Sequence, residues 1–237
     1  MKSETVSKII RWAVVISVPF MLTLITLRLL IGWSTPSYPE FEYNRIAAER
    51  YGFSIEDRLG FAKATLGYLR QSEPAEEAIY LLDELRMPNS DAPLYNQSEI
   101  QHMVDVKKLV DTFRMLTWVF LFIVAAGLLF LLAKPSSRLE GYKALLQGGL
   151  LTVSVLLIML VLILVSWSLV FTQFHELLFP PDTWTFNYSD SLIRLFPEQF
   201  WFDFGLIWTG LIFLEGLIVT LVGYLLLRNN RYLLIVT

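Results

Sequence analysis

The sequence contains no cysteine. That absence excludes disulfides, zinc ribbons, lipid attachment to a cysteine of the chain and every cysteine nucleophile. Charge is also scarce. Asp, Glu, Lys and Arg make up 17% of the 237 residues, against ~25% in an average soluble domain. The net charge is −3 and no long basic run occurs, which argues against a nucleic acid partner. There is no G-x-S-x-G elbow and no P-loop, so two common routes to hydrolase or nucleotide chemistry are missing. Histidine occurs only twice, at His102 and His175. What is abundant is apolar: 55% hydrophobic and 14% aromatic residues, which excludes a disordered chain.

About 20 consecutive apolar residues span a bilayer core. Four runs qualify: residues 13–33 (interrupted by Arg28), 115–133, 144–171 and 205–227 (interrupted by Glu215). The first is too long for the apolar region of a signal peptide and lacks a small-residue cleavage site, so it reads as an uncleaved anchor. Lysine and arginine near span ends set sidedness. The N-terminus (Lys2, Lys8, Arg11), the loop 134–143 (Lys134, Arg138, Lys143) and the tail (Arg228, Arg231) hold eight basic residues against Glu4 and Glu140. Residues 34–114 instead carry nine basic residues and fourteen acids, and residues 172–204 carry Arg194 against five acids. The expected architecture is an all-α membrane protein: four transmembrane helices, both termini cytoplasmic, and a helical extracytoplasmic cap. The segments are 1–33 (N-terminus and first span), 34–114 (cap leading into the second span), 115–171 (second and third spans around the short cytoplasmic loop 134–143), 172–204 (an outer loop) and 205–237 (fourth span and cytoplasmic tail).

Within the cap, helices are predicted over residues 40–51, with Gly52 as a stop, and from Ser54, whose partner in an N-terminal cap is Asp57. A third helix opens at Pro74 and Glu76, with Ile79, Leu82 and Leu85 on one face. The run Pro88-Asn89-Ser90-Asp91 breaks it. Ser98 caps a last segment that starts at Glu99 and runs toward the second span.

Both histidines fall on the outer side. Asp105 follows His102 by three residues and shares its helix face, where it is placed to hold one ring nitrogen. Glu176 adjoins His175, a weaker arrangement because adjacent helical residues face apart. The outer loop is rich in rings: residues 171–204 hold eleven of the 34 aromatics. Part of this is the aromatic belt of any membrane interface; the remainder suggests an apolar pocket walled by Phe174, Trp184, Phe186 and Trp201. Arg28 either snorkels to the interface or faces a polar pocket. Glu215 is an intramembrane carboxylate, most simply kept neutral or paired inside the bundle.

The stretch HMVDVK at 102–107, preceded by the polar residues 96–101, resembles a motif of the bacterial lipoprotein intramolecular transacylases (Lit) and their wider integral-membrane family. FHELLFP at 174–180 and DSLIRLFPEQFW at 190–201 resemble that family's second outer loop, and Arg28, late in the first span, is similar too. Leu178 departs from the pattern, where a second aromatic is expected before Phe179. The resemblance implies a four-helix membrane fold under an extracytoplasmic cap. It implies a reaction that moves the sn-2 acyl chain of a diacylglyceryl lipoprotein onto the α-amino group of its N-terminal cysteine, leaving a lyso-form lipoprotein. It also implies that His102 and His175 are catalytic. Because both reacting groups sit on one substrate molecule, a confining pocket can supply the orientation, and no metal and no cofactor is expected. The expected partners are a diacylated lipoprotein in the outer leaflet and membrane lipids.

An imidazole of ordinary pKa ~6.5 takes and gives protons near neutrality, and two can divide the base and acid roles. Sequence does not assign the roles; the acids near His175 favour it as the base. Two other readings stand beside this one. His102, Asp105 and His175 have the composition of a 2-His-1-carboxylate metal site in a membrane hydrolase, without a supporting spacing. A non-enzymatic membrane adaptor or lipid-binding protein is the other. A shared acid–base site requires the two rings to lie within roughly 8 Å, given hydrogen-bond reach of ~3 Å on either side of one carbon. A straight helix from Glu99 into the second span opposes this, because it lifts His102 ~20 Å above residue 115 at 1.5 Å per residue.

Overall fold

A computed structural model describes residues 2–32 and 37–236. Trp33 and Ser34, where the first span is expected to end and the outer loop to begin, lie outside the described residues. The described chain is helical: α1 (Lys2–Gly32), α2 (Tyr38–Tyr43), α3 (Ile55–Arg70), α4 (Ala75–Ala78), α5 (Tyr80–Asp83), α6 (Gln97–Ala133), α7 (Pro135–Val165), α8 (Trp167–Leu178), α9 (Ser191–Leu195) and α10 (Glu198–Val236). Four of these, α1, α6, α7 and α10, are long and apolar enough to cross a membrane. The chain divides into two compact units.

The first unit comprises Met1–Arg28, Phe113–Leu164 and Leu206–Thr237. Its core is Val14, Val15 and Val18 of α1 with Val124 and Leu131 of α6 and Ala144 of α7. Large apolar side chains such as Phe122, Leu129 and Ile158 remain exposed, as a lipid-facing surface requires. Glycines let the helices approach closely. A Cβ on Gly149 would lie 2.5 Å from the Thr220 backbone nitrogen. Some polar groups inside this unit pair with one another: the Thr26 hydroxyl donates to the Glu215 carboxylate at 2.9 Å, and the Trp208 indole donates to the Thr23 carbonyl at 3.1 Å. Arg11 meets Glu140 at 2.9 Å.

The second unit comprises Leu29–Thr112 and Val165–Gly205. Ser54 and Asp57 cap α3 reciprocally, as the sequence predicts. Buried hydroxyls tie the pieces together: Tyr38 donates to the Phe200 carbonyl (2.9 Å) and Tyr43 to the Leu195 carbonyl (2.6 Å). Tyr68 donates to the Met103 carbonyl (3.2 Å). Asn89, at φ 58°, makes the turn expected at residues 88–91.

Several boundaries differ from the sequence reading. The helix expected over 40–51 is the six-residue α2, and Gly52, at φ 104°, serves a later turn. The third cap helix splits into α4 and α5 about Ile79. The cap of α6 is Asn96, not Ser98. Its side-chain oxygen accepts from the Ser98 and Glu99 N–H groups, both at 3.0 Å, and Glu99 accepts from the Asn96 N–H at 2.7 Å. Asn96 wins because its short acceptor reaches both free donors of the first turn. The loop 134–143 is almost wholly helical; only Lys134 separates α6 from α7, since Pro135 at a first helical position costs no hydrogen bond. The third apolar run breaks at Ser166, whose φ of −151° is not helical. The fourth long helix begins at Glu198, well before residue 205.

Candidate active site

α6 is 37 residues long, ~55 Å at 1.5 Å per residue against a hydrocarbon core of ~30 Å. Its first half carries Glu99, Asp105, Lys107, Lys108, Asp111 and Arg114, whereas residues 115–133 carry no charge. His102 lies in that charged first half, in the second unit. α6 is continuous. On the His175 side the chain breaks at Ser166 and continues as α8, a helix with no fully buried residue.

The His102 and His175 ring centroids are 6.5 Å apart and 24° from parallel. Aromatic rings surround them. Phe171, Trp184, Phe174 and Phe179 stand 4.1, 4.9, 5.4 and 5.6 Å from His175. Phe179 and Phe186 stand 5.0 and 5.4 Å from His102. Local chemistry explains the arrangement. Phe171, His175 and Phe179 follow one another at four-residue spacing, one side of a helix. The Phe179 N–H closes α8 on the His175 carbonyl at 2.9 Å. A turn through Asp182, at φ 62°, then returns the chain so that Trp184 covers His175.

The returning loop is fastened to α6 by a carboxylate. Glu99 is 1% exposed. One of its oxygens caps α6 at Asn96, and the other accepts the Leu192 N–H at 2.7 Å. Glu99 therefore ties the first turn of α6, one turn before His102, to the start of α9. Phe186 lies in the stretch just ahead of α9.

The ring contacts define the protonation states. His175 Nδ1 lies 2.7 Å from the Phe171 carbonyl oxygen. A carbonyl only accepts, so Nδ1 carries the proton and donates it, and Nε2 keeps its lone pair. Burial pushes the His175 pKa down, against the opposing pull of the Phe171 carbonyl. His102 is 6% exposed, and its Nδ1 is buried with no hydrogen-bond partner. Burial, and next the neighbouring His175, push its pKa down to about 4. Both imidazoles are neutral at pH 7.

Other candidate residues fall differently from the sequence reading. Asp105 does not hold His102 Nδ1, which is unpartnered; sharing a helix flank does not bring a short carboxylate back onto a buried ring. Glu176 is held by the Gln173 side-chain amide at 2.7 Å, so it does not serve His175. Acids near His175 in sequence do not raise its basicity, because its surroundings are apolar rings. Trp201, on α10, packs on Phe196, Phe200 and Phe204, a cluster apart from the histidines. Arg28 is exposed, with its guanidinium 5.2 Å above the Trp118 ring. This contact with an aromatic ring is the one that the guanidinium shows, and no carboxylate is paired with it among the described residues. Among the described residues no three His, Asp or Glu side chains gather at metal-binding distances, so the 2-His-1-carboxylate alternative is not assembled. Phe171 and Phe179 were not singled out from the sequence as walls, although their four-residue spacing about His175 was there to be read.

The comparisons with known proteins fit this geometry. The family model for lipoprotein intramolecular transacylase Lit matches residues 12–201. An uncharacterised protein of Aquifex aeolicus is 31% identical over 188 residues, 78% of this chain and 81% of that one. The in meso structure of the membrane-integral transacylase Lit from Bacillus cereus superposes with a TM-score of 0.68 at 18% identity, covering 97% of this chain and 99% of that one. A variant of that protein with a histidine replaced by alanine gives 0.65 at 19% identity, covering 97% of each chain. At such identity the structures establish a shared fold, that of a multi-pass membrane protein. With the family model spanning most of the sequence, the chain belongs to the lipoprotein intramolecular transacylase family, a family of membrane acyltransferases.

Proposed function

We propose that this chain moves the sn-2 acyl chain of a diacylglyceryl-modified lipoprotein to the α-amino group of its N-terminal cysteine, by acid–base chemistry at His175 and His102. The observation that carries the reading is the pair of imidazoles 6.5 Å apart inside a ring-lined site. The free amine attacks the ester carbonyl carbon, so a C–N bond forms. His175 Nε2, left as a lone pair by the Phe171 contact, accepts the amine proton. The tetrahedral oxyanion needs a donor, and neutral His102 supplies one N–H. The C–O bond to the glyceryl oxygen then breaks, and the proton held on His175 passes to that oxygen. Protons balance with no cofactor. The aromatic walls exclude water, which protects the ester from hydrolysis. They also confine two groups of one molecule, where effective molarities reach ~10⁵ M or more.

The basic-residue bias supports a topology with both termini in the cytoplasm and the histidines on the outer face, within reach of a lipidated protein in the outer leaflet. Mass spectrometry of a reporter lipoprotein's N-terminal peptide, with and without this chain, tests the function. An acyl chain moved from glycerol to the amine supports it. An unchanged peptide, or loss of the chain to water, sinks it.

A further inference from the structure

A cavity of about 490 Å³ lies within the second unit, lined by residues 46–51, by Arg58 of α3 and by residues near α9. It shares no residue with the ring-lined histidine site. Three arginines line it, Arg50, Arg58 and Arg194, against one acid, Glu49. Glu49 is fully engaged. It takes the Arg194 guanidinium at 2.7 Å and accepts the Tyr51 and Phe53 N–H groups at 2.8 and 2.7 Å. Arg50 is exposed. Arg58 is only 2% exposed, and its Nε is buried without a hydrogen-bond partner. Its guanidinium lies 3.9 Å over the Tyr43 ring. Tyr43 answers the face of the cation and, through its hydroxyl, interacts with one side of it, which leaves in-plane N–H donors over. Nε is sealed from the cavity, so the part of Arg58 that lines it is the rest of the guanidinium, a buried charge that is costly without an anion nearby.

We propose that this cavity binds the phosphate group of an organic phosphate ester. Two guanidinium charges beyond the Arg194–Glu49 pair suit a phosphate better than a single carboxylate. Arg58 is the fixed inner donor, and Arg50 closes on the anion from the mouth. Ile46, Ile193 and Pro197 give the remaining wall an apolar character that suits an ester's carbon body. The same chemistry is offered by the headgroup of an anionic phospholipid and by a soluble phosphate ester.

Isothermal titration of the full chain in a non-ionic detergent tests this. The probes are dihexanoyl phosphatidylglycerol, glycerol 3-phosphate and inorganic phosphate. Saturable binding is expected, weakened ~10-fold or more by Arg58→Gln, the loss of one charged hydrogen bond, and to a lesser extent by Arg50→Gln. Tighter binding of the lipid assigns the cavity to a headgroup; tighter binding of glycerol 3-phosphate assigns it to a soluble ester. Should Arg58→Gln fail to fold by circular dichroism, the exposed Arg50→Gln decides alone. No saturable binding of any probe, or binding that a folded arginine variant leaves unchanged, overturns the proposal.

Discussion

Replacing Glu99 by glutamine separates the fastening of the second loop from the chemistry itself. Both carboxylate oxygens of Glu99 are used, one by the Asn96 N–H and one by the Leu192 N–H, each at 2.7 Å. A glutamine keeps the shape but offers only one acceptor. Its NH2 group must then face a backbone N–H, donor against donor. The loss is one hydrogen bond to a charged group, ~1.5–3 kcal/mol, together with the desolvation of a buried N–H, ~1–3 kcal/mol. About 3 kcal/mol of local stability is a conservative sum, or ~10²-fold in an opening equilibrium. Hydrogen exchange at Leu192, read by mass spectrometry of peptides covering α9, should accelerate by about that factor. Acyl transfer should fall in parallel, because the loosened segment carries Phe186, 5.4 Å from His102. Unchanged Leu192 exchange in the variant would falsify the argument, whatever happens to activity.

Gly149→Ala should destabilise the bundle by ~1–3 kcal/mol, as overpacking does, since its Cβ would meet the Thr220 backbone at 2.5 Å; thermal unfolding in micelles reads this. Arg28→Leu should insert normally and leave turnover within about twofold, because the guanidinium stacks on Trp118 and such exposed contacts contribute only ~0.5–1 kcal/mol; a large loss of turnover at normal insertion would restore a substrate-binding role. Turnover should rise with pH through ~8, the range where an α-amino group becomes neutral, with no inflection near 6.5, since burial lowers both imidazole pKa values and His102 falls to about 4. Stability follows the same shifts. The unfolded chain binds protons on histidine below ~6.5 while the folded one resists, so stability falls as pH drops from ~6.5 toward 4; a pH series of melting curves would show any opposite trend.

The four spans were legible because the apolar runs are long and the remaining charges sit beside them. The two histidines were legible because there are only two. The break at Ser166 was not, since the residues on both sides are apolar and composition does not change across it. The two rings nevertheless stand 6.5 Å apart, although α6 is one continuous helix from Gln97. The cap at Asn96 was hidden by Ser98, an equally good capping residue two positions on. Asp105 shows the limit of spacing arguments: three residues from His102 is the right flank, but the hydrogen bond also needs a side chain long enough to return to a ring buried among Phe179, Phe186 and His175. Trp201 looked like part of the pocket because of its neighbours in sequence. The early start of α10 instead gives it to a cluster with Phe196, Phe200 and Phe204.

The proposal that His102 and His175 act as one unit on one substrate is tested most directly by a double-mutant cycle under single-turnover conditions. The rate of acyl movement to the amine would be measured for the native chain, His102→Ala, His175→Ala and the double variant, each checked for insertion. The account predicts that each single change abolishes most of the chemical step and that the double variant is scarcely slower than either. Losses that simply add in free energy, or a single variant that transfers at the native rate, would contradict a shared site.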